Sequence, residues 1–202
     1  MKKLQFKLLI VLVLSGLFGR AQDTIIVEPP AKTYLCPSGG INNSSGLAGL
    51  QVEHFVHKKV SLLGAGGIGS WGYKFTGGAR YFFRDRFGPG LGVSFSTATG
   101  LKEVKLQNME VINSLNEVEM RSVDFELKPV YMLNLSYIRS WHVGKEDNRI
   151  NLELGYSVPL SSKSAANYRL KENLRLTETS QQVMNFIQPG GFIIGLAYCL
   201  GL

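Results

Sequence analysis

The sequence predicts an all-β chain closed into an antiparallel up-and-down barrel of about eight strands, and three observations predict it. Apolar and polar residues alternate with period two through most of the chain, the spacing that puts successive side chains on opposite faces of a strand. Short charged connections alternate with long polar ones, as they do when one end of a barrel carries turns and the other carries loops. Hydrophobic residues at 45% against 18% charged residues exclude a disordered chain. After the N-terminus no apolar run approaches the roughly 18 residues that would mark a membrane helix.

Residues 1–21 read as a cleaved export signal. Lys2, Lys3 and Lys7 precede an apolar stretch at 8–18, and Gly19 and Ala21 supply the small residues that a signal peptidase needs. The apolar stretch is too short to span a bilayer as a helix. Loss of this segment removes Lys2, Lys3, Lys7 and Arg20, so the net charge falls from +7 to +3 and the argument for a nucleic-acid partner goes with it. The barrel domain is then residues 22–202. A first strand is expected within 24–36, weakened by Pro29 and Pro30, which cannot donate ladder hydrogen bonds.

The following strands are clearer. Leu50, Val52 and Val56 alternate with Gln51 and Glu53, and after the turn His57-Lys58-Lys59 a glycine-rich strand begins at Val60. Tyr73, Phe75, Ala79, Tyr81 and Phe83 alternate with Lys74, Thr76, Arg80 and Arg84; Leu91, Val93 and Phe95 alternate with glycine and serine. The segment 107–119 reads as a long polar loop. From 123 to 137 every odd position is apolar, aromatic or proline, which reads as one long strand with Asp124, Glu126, Lys128 and Asn134 on its other face. That strand either protrudes beyond an apolar band, offering a sheet edge for pairing, or is loop before Leu127. Residues 150–160 alternate again, 161–185 read as a second long loop, and Phe192, Ile194, Leu196, Tyr198, Leu200 and Leu202 complete the wall. Helical spacing is hard to find.

The stretch Leu50-Gln51-Val52-Glu53-His54-Phe55-Val56, its basic turn, and Val60-Ser61-Leu62-Leu63-Gly64-Ala65-Gly66-Gly67 resemble the strand–turn–glycine-rich strand order of small eight-stranded outer-membrane β-barrel proteins of Bacteroidetes-type bacteria. The ending Gly195-Leu196-Ala197-Tyr198-Cys199-Leu200-Gly201-Leu202 is similar to the C-terminal strand that the barrel-assembly machinery recognises, except that it ends in leucine and not an aromatic. The resemblance covers roughly residues 47–202. It implies a transmembrane barrel in the outer membrane, with membrane lipid outside and no cofactor. Alternation alone does not orient a face, and a soluble secreted barrel would turn the same apolar residues inward.

With lipid outside, Gln51, Glu53, Lys74, Arg80, Asp124, Glu126, Lys128, Asn134 and Glu153 would face the lumen. Eight strands enclose a space that side chains fill, and buried charges of mixed sign must pair there, so a cross-linked polar plug is expected. Lys163, Arg169, Lys171 and Arg175 make the 161–185 loop mildly basic; such a loop is solvated or touches anionic lipopolysaccharide. Cys36 and Cys199 would meet an oxidising compartment, but a separation of 163 positions leaves their pairing open.

Chemistry is weakly signalled. His54 and His57 fall on opposite faces of a strand, His142 follows Trp141 at a strand end, and none has a serine or metal ligand that spacing places beside it. The glycine run at 64–69 lacks the lysine and helix of a phosphate-cradling loop. The expected role is therefore non-enzymatic, structural or surface-interacting, with a narrow channel for ions or hydrophobic solutes as the alternative and a lipid-modifying enzyme third.

Overall fold

The computed structural model describes residues 32–113, 115–144, 146–161, 167–171 and 174–202. The export-signal segment 1–21 and residues 24–31 lie outside the described residues. Among these residues the strands are β1 (Thr33–Ile41), β2 (Ala48–His57), β3 (Val60–Gly69), β4 (Gly72–Phe82), β5 (Gly88–Ala98), β6 (Val104–Ile112), β7 (Val118–Leu127), β8 (Val130–Val143), β9 (Asn148–Pro159), β10 (Tyr168–Leu170), β11 (Arg175–Leu176) and β12 (Gly191–Gly201); a helix, α1 (Glu178–Ile187), precedes β12.

Eight of these strands close an antiparallel barrel in the order β1-β12-β9-β8-β5-β4-β3-β2. Neighbours in the wall are neighbours in the chain once two excursions are set aside, so the topology is up-and-down. Residues 58–59, 83–87 and 144–147 make short turns at one end, where β1 also begins and β12 finishes. The other end carries residues 42–47, 70–71 and the excursions 99–129 and 160–190. The first strand lies later than expected: β1 runs to Ile41 and takes in Pro37, which stands opposite Leu50 of β2 at a point where no pair with β12 forms, so its missing N–H breaks no ladder bond there.

The described parts of these excursions carry strands and a helix. β6 and β7 form a hairpin that β10 and β11 extend into a four-stranded sheet of order β10-β7-β6-β11, and α1 packs on it. Helical spacing missed at sequence level is carried by three residues: Ser180, Met184 and Ile187 share one face, Ser180 and Met184 buried and Ile187 packed against the core. The Thr177 hydroxyl caps the helix by accepting from the Ser180 amide, and Glu178 lies in the first turn, where the helix dipole favours a negative charge. Met109, Val111, Val123, Phe125 and Met184 form a core that continues into the barrel mouth through Trp71, Ala98, Val130 and Met132. The barrel is thereby capped at its loop end.

The run 123–137 is two strands, not one. Pro129 has no amide proton to offer a ladder, and the Lys128 amide leaves the barrel to bond the Asn167 carbonyl 2.9 Å away. The odd positions stay apolar across this break but change meaning. In β7 Val123, Phe125 and Leu127 point into the cap core, whereas in β8 Tyr131, Leu133 and Leu135 point out of the barrel.

Candidate functional site

The barrel wall separates two chemically opposite surfaces. Outward positions on all eight strands are apolar, aromatic, glycine, alanine, threonine or proline, apart from His54, Arg139 and Asn148. Aromatic side chains collect in two rings. Tyr73, Phe75, Phe95, Tyr131, Tyr156 and Phe192 lie toward the capped end, with Phe95 stacked on Tyr131 at 6.0 Å and Tyr156 edge-on to Phe192 at 5.5 Å. Tyr81, Phe83, Tyr137, Trp141 and Tyr198 lie toward the turn end, and Arg139 there lays its guanidinium 5.8 Å from the Trp141 ring. Leucine, isoleucine, valine and glycine fill the band between.

The interior is packed in three layers, two polar and one apolar. Nearest the cap, the 42–47 connection folds into the lumen and buries Asn43, Ser44 and Ser45. The Ser44 hydroxyl reaches both carboxylate oxygens of Glu153 at 3.0 Å, Thr76 donates to the Ser44 carbonyl at 2.6 Å, and the Lys74 ammonium donates to the Asn42 carbonyl at 2.8 Å. The facing wall must be bare to admit this segment: a Cβ on Gly195 would lie 2.7 Å from the Asn43 side chain, and one on Gly67 would overlap the Ser45 carbonyl.

The middle layer is ionic. Glu53, 0% exposed, takes the Arg80 guanidinium at 3.0 Å, the Arg149 guanidinium at 2.6 Å, and the Ser61 hydroxyl. Arg80 also approaches Glu153 at 3.5 Å and donates to Gln51 at 3.4 Å, and Gln51 passes the network to Asn43 at 3.1 Å. Isolated ions in such an interior cost several kcal/mol each, so mutual pairing is what makes the layer tolerable. A gap lined by Asn43, Gln51, Arg80, Asn151 and Glu153 is too small for a water molecule.

The turn-end layer is apolar. Tyr34, Phe55, Phe82 and Ile138 pack around Cys36 and Cys199, which are joined as a disulfide with their Cα atoms 4.1 Å apart. The pairing left open by the sequence is thus made, because the register Leu35↔Leu200 and Ser38↔Ala197 sets the two cysteines opposite each other. The bond staples β1 to β12, the seam where the barrel closes. Arg149 bridges the lower two layers, its guanidinium 4.1 Å from the Tyr34 ring and 5.0 Å from that of Phe55.

Of the residues expected in the lumen, Gln51, Glu53, Lys74, Arg80, Asn134 and Glu153 point into the barrel and are buried. Asn134 donates to Ser96 at 2.6 Å. Asp124, Glu126 and Lys128 do not belong there: Asp124 and Glu126 lie on the outer face of β7 in the cap, and Lys128 is exposed at the break before β8. The error came from running one strand through Pro129. Arg149 and the 42–47 plug were missed. Arg149 alternates in phase with Asn151 and Glu153 and was legible on that ground; nothing local marks Asn43, Ser44 and Ser45 as interior.

The basic residues expected to act together are dispersed. Arg169 and Arg175 stand on β10 and β11, the opposite edges of the cap sheet, and Lys171 pairs with Glu103. Lys163 lies outside the described residues. That pairing holds the Glu103 carboxyl below its usual range, through the Lys171 hydrogen bond first and its charge second. The histidines occupy three separate settings: His54 meets the Thr33 hydroxyl at 2.9 Å, His57 accepts from the Lys59 amide at 3.4 Å, and His142 stacks edge-on to Phe87 at 5.2 Å. No family model, curated protein or solved structure matches the chain.

Proposed function

We propose that this chain is a non-enzymatic β-barrel of the outer membrane, with a structural or surface-interaction role exercised by its capped end. One observation carries the reading: the barrel's outer wall is apolar while two of its three interior layers are polar, and two aromatic rings border its apolar band. A soluble barrel has the reverse need, since water would face the band. On β8, Tyr131 and Trp141 are ten positions apart, roughly 33 Å along the strand and roughly 25 Å along a barrel axis at a tilt of about 40°, the height of a typical outer-membrane apolar band. Closure of the sheet pairs the backbone groups that hydrocarbon would leave unsatisfied. Arg139 fits this geometry at the turn-end ring, where its long side chain reaches headgroups.

In this reading the short turns and both strand termini face the periplasm and the cap faces outward. Membrane lipid surrounds the wall, lipopolysaccharide meets the base of the cap, and the barrel-assembly machinery inserts the chain. The filled lumen argues against the channel alternative, since plug, ion layer and aromatic layer lie in series. The dispersed histidines offer no paired base and nucleophile for the enzymatic one.

The test is membrane fractionation followed by electrophoresis of boiled and unboiled samples. Recovery in the outer membrane with a heat-dependent mobility shift is expected. Recovery in the soluble periplasm without a shift would refute the reading.

A further inference from the structure

The two sides of the cap hairpin are finished differently. The outer edge of β6 is fully engaged near its tip: Arg175 and Leu176 pair with Ile112 and Val111, the Thr177 amide donates to the Glu110 carbonyl, and the Glu110 amide donates to the Ser180 hydroxyl. The outer edge of β7 is covered only at its base, where β10 pairs with residues 125–127 and the Lys171 amide donates to the Asp124 carbonyl. From Val118 to Val123 no strand among the described residues lies on that side. Val118 is 65% exposed and Met120 68%.

The alternation of the hairpin says which atoms this edge presents. The Asn113 amide donates to the Glu117 carbonyl, so residues 117, 119 and 121 direct their backbone groups toward β6. Residues 118, 120 and 122 direct theirs away, in phase with the Asp124 carbonyl that Lys171 engages. Among the described residues no backbone partner takes the donor and acceptor pairs of these three residues. Unpaired edges are usually blunted by proline, by charges, lysine above all, or by a bulge; the run Val118-Glu119-Met120-Arg121-Ser122 holds no proline or lysine, and its two charges, Glu119 and Arg121, are of opposite sign.

The side chains on the same run are self-complementary. Laid antiparallel against its own copy about Met120, the strand sets Glu119 opposite Arg121 and Arg121 opposite Glu119, Met120 opposite Met120, and Val118 opposite Ser122. Opposite charges meet twice, and about six backbone hydrogen bonds form across the axis. Within one chain Glu119 and Arg121 lie 3.4 Å apart on one face, the spacing that a two-fold would set against its own copy.

We propose that the free edge of β7 is a self-association site that takes a second copy of this chain, the two β7 strands pairing antiparallel about Met120. This deepens the surface-interaction reading and rests on it for its setting, though the pairing can be read whether or not the barrel lies in lipid.

The test uses the full chain, folded in detergent, with Met120→Cys and mild oxidation. Cys36 and Cys199 are bonded and buried, so only the new thiol reacts. A covalent dimer is expected from Met120→Cys, and at least tenfold less from Ser122→Cys, whose partner in this register is Val118. Glu119→Arg and Arg121→Glu should each weaken association about tenfold, by turning both cross-strand attractions into repulsions, and an equimolar mixture of the two should restore it. A Met120→Cys protein that shows the heat-dependent mobility shift but stays monomeric overturns the proposal. So does a mixture that associates no better than its components. A chain found soluble and without a mobility shift refutes the membrane reading instead, and leaves the cross-linking result to be judged on its own.

Discussion

Glu53 is the residue on which the barrel interior should depend most. Its carboxylate is wholly buried and receives both Arg80 and Arg149, while Arg80 has a second, longer contact with Glu153 at 3.5 Å and Arg149 also donates to the Arg86 carbonyl at 3.0 Å. Glu53→Gln keeps the shape, removes the charge and leaves Arg149 buried without its directly paired carboxylate. Breaking a buried pair from one side costs about 3–5 kcal/mol, because the remaining ion is uncompensated. At a denaturant slope of about 2 kcal/mol per molar urea, that lowers the unfolding midpoint by roughly 1.5–2.5 M. The assay is urea titration of the refolded protein, read by the mobility of unboiled samples. The double variant Glu53→Gln, Arg149→Met should recover most of the loss, since the apolar thioether suits the ring-lined pocket of Tyr34, Phe55 and Phe82. A single-variant loss below about 1 kcal/mol, or a double variant no better than the single, would refute the claim that charge pairing holds this layer.

Three further outcomes follow from the same geometry. Replacing Cys36 and Cys199 by serine opens a loop closed across 163 positions, for which chain entropy predicts a loss of up to about 5 kcal/mol; urea titration of oxidised protein against the double variant measures it, and a thiol reagent should label neither cysteine in the native state. Leu135→Arg, in the middle of the outward band, should cost about 2–4 kcal/mol and Tyr131→Arg, at the ring, about 0–1 kcal/mol in a bilayer, whereas equal and negligible costs would indicate water outside the wall. Because Glu103 is held below its usual range by Lys171, their contact contributes stability above the ordinary carboxylate pKa and loses it as pH falls through the depressed value; the protection of the residue 171 amide, its exchange rate relative to the intrinsic rate at each pH, should fall in that acidic window, and Lys171→Ala should abolish the dependence.

Much of the barrel was legible because a strand's period is short and its register propagates. Glu53, Arg80 and Glu153 could be assigned to one face from neighbours two residues away, and Arg149 obeyed the same rule. The Val123–Tyr137 run shows where the rule stops. Alternation reports that two faces differ and is blind to what each face meets, so it passed unbroken through Pro129 while the apolar face changed from cap core to barrel exterior. The proline itself was visible and was the signal to divide the run.

By itself the sequence determined the alternating strands of the wall from residue 50 onward, the alternation of short and long connections, and the chemical contrast between the two faces of each strand, all of which depend on contacts within a few residues. Only the tertiary structure decided which face lies inside, that residues 42–47 fill the lumen, that the two excursions join into one cap, and that Cys36 meets Cys199 across the closing seam. These depend on closure. Once β1 pairs with β12, residues at opposite ends of the chain become neighbours and the interior volume is set, and no local pattern encodes a distance between segments that only the completed ring brings together.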